Sequence, residues 1–264
     1  MLIVVLCLAL GCQVTPRTGP GAAAPRDPAL PFGELDASSE NRIEALAQFA
    51  TGVSVQLTED LDRALPYYQE AVRLDPHNVK HGAELAKLLL ARKQIDEAVV
   101  LLQDLITQNP DAAEPHFVLG VIHNTREQPA EALAAFELAY RLDPTSIDTV
   151  QALLHRYLQD DQTDAAGRLL KRALKVKADK ARYWLRLADF CVTTRRQAPS
   201  LASVLSDDHI AACLEKGLAL ADDEEEPTRS DFLARLATLY EQAGDEEQAG
   251  RYYEQLAEAK PDDV

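Results

Sequence analysis

The sequence predicts an all-α solenoid of about six helix-turn-helix repeats. Three observations predict it. Residues of one type recur at a fixed step of 34 positions, and prolines fall at the same step. Alanine and leucine abound, while valine and isoleucine are sparse beyond the N-terminus. A step of this size marks supersecondary units stacked in series, and the composition favours helix over strand.

The step shows in several registers at once. Ala64, Ala98, Ala132 and Ala166 are 34 apart, as are Tyr68, Leu102, Phe136 and Leu170, and Ala71, Leu105, Ala139 and Ala173. Pro76, Pro110 and Pro144 follow it, with Ala178 where a fourth proline would fall. Asp75, Asn109 and Asp143 precede those prolines, which bar them from helical backbone and so end each second helix. Small residues, Gly52, Ala86 and Gly120, stand midway along the first helices. Leu154 takes that place in the fourth unit. The tetratricopeptide repeat, which this pattern resembles, keeps a small residue there so that the second helix can cross closely, and the departure implies a looser crossing. Pro66 falls inside a second helix, where its missing N–H predicts a kink or a late start. Ser38 or Ser39 is placed to cap the first helix.

The period and residue types resemble the tetratricopeptide repeat. The resemblance sets a domain over 38–264 with repeats at 45–78, 79–112, 113–146, 147–180, 181–224 (with an insertion) and 230–263. It implies a right-handed α-solenoid. Repeat five carries the family's tryptophan as Trp184, and its insertion near 195–206, with Gln197-Ala198-Pro199-Ser200, reads as a loop. Repeat six places Leu236, Ala237, Tyr240, Gly244, Ala249, Tyr253 and Pro261 where the family expects them.

In that family the first helices line a concave face that holds a partner peptide or helix. The resemblance implies a groove of Phe49, Val53 and Leu57 from repeat one, Lys80, Ala83 and Lys87 from repeat two, and Phe117, Val121 and Asn124 from repeat three. Gln151, His155, Arg182, Arg186 and Asp189 continue it. An apolar N-terminal half fits an amphipathic helix or a hydrophobic strand. Packing of Phe49 and Phe117 against neighbouring helices is the other reading. Chaperone adaptors of this family grip a terminal carboxylate with polar and basic residues, but Phe49, Phe117 and Leu185 occupy such places here. Binding of chaperone tails is therefore disfavoured.

The N-terminus reads as an address and a tether. Residues 2–10 are apolar and uncharged, too short to span a bilayer and suited to the core of a signal peptide. They end in Ala9-Leu10-Gly11-Cys12, which resembles a bacterial lipobox and implies lipidation of Cys12. Two features depart from that pattern: no Lys or Arg precedes the run, and Leu10 is bulkier than usual. An ordinary signal peptide and a cytosolic chain with an apolar tail fit the same residues. Residues 13–37, punctuated by Pro16, Pro20, Pro25, Pro28 and Pro31, cannot build a helix and read as a linker.

The search for chemistry finds little. Forty-three acids against 27 bases give a net charge near −16, which argues against a nucleic-acid partner. No phosphate loop, nucleophile elbow or HExxH is present, so no enzyme activity and no cofactor are expected. His77 and His81 straddle a turn, and His123 falls at a packing position. The acidic groups Asp207-Asp208, Asp222 to Glu226 and Asp245-Glu246-Glu247 read as solvated turns. A basic stretch, Lys171, Arg172, Lys175, Lys177, Lys180, Arg182 and Arg186, reads as solvated helix surface or as a dock for an acidic segment, glycan or lipid head. With Cys7 removed and Cys12 lipidated, Cys191 and Cys213 are the remaining thiols, and export would permit a disulfide between them. Two buried free cysteines are the alternative. The expectation is thus a protein-binding scaffold, anchored to the bacterial envelope through Cys12 or, alternatively, cytoplasmic.

Overall fold

The computed structural model describes residues 36–58, 60–202, 204–222 and 227–259. The apolar run, Cys12, nearly all of the linker, residues 223–226 and Pro261 lie outside them. The chain divides after Glu40. Of the first unit the described part is 36–40. There Asp36, not Ser38 or Ser39, caps the first helix, because its Oδ1 accepts the Ser39 N–H at 2.7 Å.

The described residues form twelve α-helices and a short 3-10 helix, with no strand. In order they are α1 (Ala37–Gln56), α2 (Leu61–Leu74), α3 (Val79–Ala91), α4 (Ile95–Gln108), α5 (Ala113–Thr125) and α6 (Pro129–Leu142). Then come α7 (Ile147–Gln159), α8 (Thr163–Ala173), α9 (Ala181–Gln197), the 3-10 helix Pro199–Leu201, α10 (Asp207–Leu218), α11 (Arg229–Ala243) and α12 (Glu246–Ala259). Consecutive helices pack against each other as six helix-turn-helix pairs in an all-helical solenoid.

The period sets where the helices begin. α2, α4, α6 and α8 start at Leu61, Ile95, Pro129 and Thr163, and α3, α5, α7 and α9 at Val79, Ala113, Ile147 and Ala181, each set 34 apart. Pro66 therefore delays nothing: α2 starts in step and runs through it. The second helices stop where the prolines require. Asp75, Asn109 and Asp143 hold φ of −134°, −135° and −135°, and each N–H still closes the last helical bond. Where Ala178 replaces the proline, α8 stops early, at Ala173. Side chains take over its carbonyls: Tyr183 Oη donates to Ala173 O at 2.9 Å, Lys216 Nζ to Leu174 O at 3.1 Å and Trp184 Nε1 to Ala178 O at 3.2 Å.

Within a repeat the two helices cross closely because size is complementary across the pair. A Cβ built on Gly120 would stand 2.5 Å from the Phe136 ring, sixteen residues on, so glycine alone lets these helices meet. Gly52 faces Tyr68 in the same register. Opposite Leu170, Leu154 is accommodated and buried. Buried side chains form two clusters, one spanning Ala64 to Ile122 and one spanning Ala132 to Leu239, and Phe117 packs against both.

The insertion in repeat five is a loop with a 3-10 turn, and part of it is buried. Arg195 to Gln197 extend α9, and Leu201, Val204 and Leu205 are buried in the larger cluster. The 3-10 turn touches both α8 and α9. Two of the acidic groups are helical as well. Asp207 and Asp208 open α10, and Glu246 and Glu247 open α12, where carboxylates favour the positive end of the helix.

The turn from first to second helix is left-handed at one recurring position: Lys93 (φ 63°), Glu127 (56°) and Asp161 (57°) are 34 apart, and Gly244 (79°) is its counterpart in repeat six. The next N–H reaches back five residues, as Gln94 does to Leu89 O and Gln128 to His123 O, both at 2.9 Å, which is a Schellman closure. An L side chain is strained there, and glycine is not. Glu127 is exposed and its side chain makes no bond that the substitution would lose. Glu127→Gly is expected to stabilise the fold by about 1 kcal/mol, a rise in Tm of about 2–4 °C. Thermal unfolding by circular dichroism checks it, and Gly244→Ala should move Tm the other way.

Candidate functional site

The surface that stands out lies on α1. Ile43, Leu46, Ala50, Val53 and Leu57 follow a three-four spacing that puts them on one side of a helix. All are exposed, the four large ones by 55%, 57%, 37% and 81%. Four of the seven large exposed hydrophobics among the described residues thus form one stripe. The neighbouring side of α1 is built differently. Ala47, Thr51 and Ser54 stand where α3 buries His81, Leu85 and Leu88 against the preceding repeat. No repeat is described before α1, and these small and polar residues suit a terminal, water-facing surface.

Beyond α1 the first helices carry a polar ladder that links successive repeats. Lys87 Nζ on α3 donates to Glu114 on α5 at 2.6 Å and to Glu84 at 2.9 Å. Burial disfavours its charge, but the bonds to Glu114 and Glu84 outweigh that and hold the ammonium above its ordinary pKa. Arg156 on α7 reaches Asn124 on α5 at 3.4 Å and Asp160 at 2.5 Å. Arg186 on α9 binds Asp148 on α7 at 2.5 Å, and Arg235 on α11 binds Asp189 on α9. The sequence reading missed this ladder, since its partners lie 27 to 46 residues apart. On the opposite edge Arg92 and Arg126, one period apart, bind Asp62 and Asp96, also one period apart.

The residues expected in the groove therefore fall into three groups. Val53 and Leu57 are exposed on the stripe. Lys87, Asn124 and Arg186 are rungs of the ladder, and His155 sits exposed beside Gln159 at 2.7 Å. Arg182 is exposed and engaged with a neighbour. Phe49, Phe117 and Val121 are half-buried among other side chains, and Ala83 is fully buried. Phe49 stacks on His81 at 4.6 Å, meets Tyr68 edge-on at 5.4 Å and lies under the Lys80 ammonium. Phe117 leans on Phe136 at 5.8 Å.

Other candidates resolve into packing. Cys191 and Cys213 are free thiols, both buried, and burial pushes them up to about 12 and about 11. His123 Nδ1 bonds Gln128 Oε1 at 2.8 Å. Among the described residues no three His, Cys, Asp or Glu gather into a group that could hold a metal ion.

Tetratricopeptide-repeat models match residues 58–116 and 230–263. Anaphase-promoting complex subunit 3 of Schizosaccharomyces pombe is 33% identical over 92 residues, 35% of this chain and 14% of that protein. The peroxisomal targeting signal receptor of Komagataella phaffii is 26% identical over 105 residues, 40% of this chain and 18% of the receptor. The match thus spans less than a fifth of either relative. A solved structure of Pseudomonas aeruginosa pilF aligns over 84% of this chain and 95% of its own, with 15% identity and a TM-score of 0.46.

His81 is 1% exposed and its Nδ1 has no hydrogen-bond partner. Burial lowers its pKa; Asp75 works against that shift and Lys80 with it. With the folded pKa below the unfolded value of about 6.5, the unfolded chain takes up the proton first. The stability that His81 contributes is therefore present above about pH 6.5 and lost as pH falls through it. His81→Phe keeps a ring against Phe49 and removes the titration. Its Tm should fall less steeply than that of the wild type between about pH 7 and 5, and parallel slopes would refute the assignment.

Proposed function

The chain is a tetratricopeptide-repeat protein, and from that membership we propose that it is a non-enzymatic interaction scaffold that seats an amphipathic helix of a partner protein along α1. The observation that carries this reading is the exposed stripe of Ile43, Leu46, Val53 and Leu57. Water-facing apolar residues in one continuous row mark an interaction surface rather than scattered solvent contact. Their three-four spacing matches the seam that a second helix fills. The polar ladder on the later first helices is already internally paired, so it offers a partner fewer free charges than the stripe offers apolar surface.

The scaffold is proposed to work from a membrane of the bacterial envelope. Support comes from the apolar run ending in Gly11-Cys12 and from the Pro-rich stretch after it, which would let the domain search near the membrane. Bacterial lipoproteins resembling this chain carry more than one acyl chain, as stable anchoring requires.

Two experiments test the two parts. Leu46→Asp and Leu57→Asp alter exposed side chains, so each should leave stability within about 0.5 kcal/mol. Each should weaken partner capture from membranes about thirtyfold, the effect of losing an apolar anchor worth about 2 kcal/mol. Unchanged capture by both variants at unchanged Tm would remove the stripe from the function. Separately, Cys12→Ala should abolish labelling by radioactive fatty acid and release the protein from the membrane fraction. Retention of both would show that Cys12 is not the anchor.

A further inference from the structure

The second helices carry a separate site. A cavity of about 260 Å³ opens between α6 and α8, lined by Glu137, Tyr140 and Arg141 from α6, Leu153 and Tyr157 from α7, and Arg168, Leu169 and Arg172 from α8. Three guanidinium groups thus line one small depression of a chain whose net charge is near −16.

Most of the thirteen other described arginines find carboxylates. Nine of those described are in ion pairs with Asp or Glu. Arg141, Arg168 and Arg172 are in none, although acids outnumber bases along the chain. Arg168 and Arg172 stand one helical turn apart, where like charges destabilise each other. Arg172 is held over the Tyr140 ring at 5.0 Å, and the hydroxyl of Tyr140, a residue that lines the same cavity, makes no hydrogen bond. The one carboxylate present, Glu137, accepts a hydrogen bond from Tyr157 Oη at 2.7 Å. Burial and that bond push the Tyr157 phenol up to about 12, while the nearby charges of Arg168 and Arg172 pull it down. Three cations against one anion leave two positive charges with no anionic partner among the described residues that line the cavity.

We propose that Arg141, Arg168 and Arg172, with the Tyr140 hydroxyl, form a binding site for a phosphate monoester. Such a group carries close to two negative charges and three strong acceptor oxygens. Those match the uncompensated charge, and the flat fork of each guanidinium offers paired donors to phosphate oxygens. The small volume favours one compact dianion over two carboxylates on separate side chains. Leu153 and Leu169 line the cavity with apolar surface for the body of the ester. A nucleic acid or an anionic membrane would be repelled by the rest of the surface.

Calorimetric titration of the full chain at low ionic strength tests the site, with phenyl phosphate as probe and benzoate as a monoanion of similar body. Phenyl phosphate should bind saturably and at least about tenfold more tightly than benzoate, since charge-assisted bonds to the second charge are lost. Arg141→Gln and Arg168→Gln, both at exposed positions, should each weaken it about tenfold at unchanged Tm. Glu137→Gln removes the opposing charge and should tighten it. A phosphoserine peptide compared with phenyl phosphate tells whether the natural source is a modified partner or a free small molecule. No saturable heat with phenyl phosphate, equal binding of benzoate, or affinity unaltered in both arginine variants would each overturn the proposal.

Discussion

The close crossing of the two helices inside each repeat is the constraint on which the rest depends. A helix bundle buries surface only if backbones approach, and here the approach is set by what faces the large residue of the second helix. Gly120 meets Phe136 and Gly52 meets Tyr68, so neither first-helix residue can gain a Cβ without moving an aromatic ring. Where the second helix offers the smaller Leu102 or Leu170, Ala86 and Leu154 stand opposite. The residue types on the two sides of the crossing thus change together along the chain. Interiors packed at crystal-like density tolerate such paired exchange of volume better than a one-sided change.

Once the pairs are set, stacking them determines the surface chemistry. Positions that recur every 34 residues become neighbours, so a charge on one repeat lies beside a charge on the next. Lys87 with Glu114 and Arg186 with Asp148 are the outcome on the first helices. Exposed pairs of this kind contribute little stability singly. What they do is consume charges of that face, while the apolar row on α1 and the arginines between α6 and α8 stay outside the pairing.

The fold was legible because its signals are local and repeated. Alanines and prolines in step located the helix starts, and the Asp-Pro and Asn-Pro pairs located the stops. The left-handed turn was not legible, since Lys93, Glu127 and Asp161 have no side-chain signature for positive φ. The inserted loop was legible from Pro199 and Ser200, but the burial of Leu201 and Leu205 was not, since it depends on packing against α8 and α9. On the exposed row of α1, Val53 and Leu57 were named from register alone, whereas Ile43 lies before the first repeat boundary and Leu46, just inside it, was not named. The arginine cavity was half visible: Arg172 belonged to a recognised basic stretch, but Arg141 joins it only through packing.

The early stop of α8 has a consequence for how such a chain can grow or shrink over generations. Where the period is intact, duplication or loss of one 34-residue unit rejoins helices in the same register, and each new junction finds the same kinds of neighbours. The junction after α8 is individual. Its carbonyls are held by Tyr183, Trp184 and Lys216, and its flank is filled by Leu201 and Leu205 from the inserted turn. Unequal recombination across it would separate residues that have substitutes nowhere else among the described repeats. A break between repeats four and five is therefore costlier than one between the first three, whose junctions are alike.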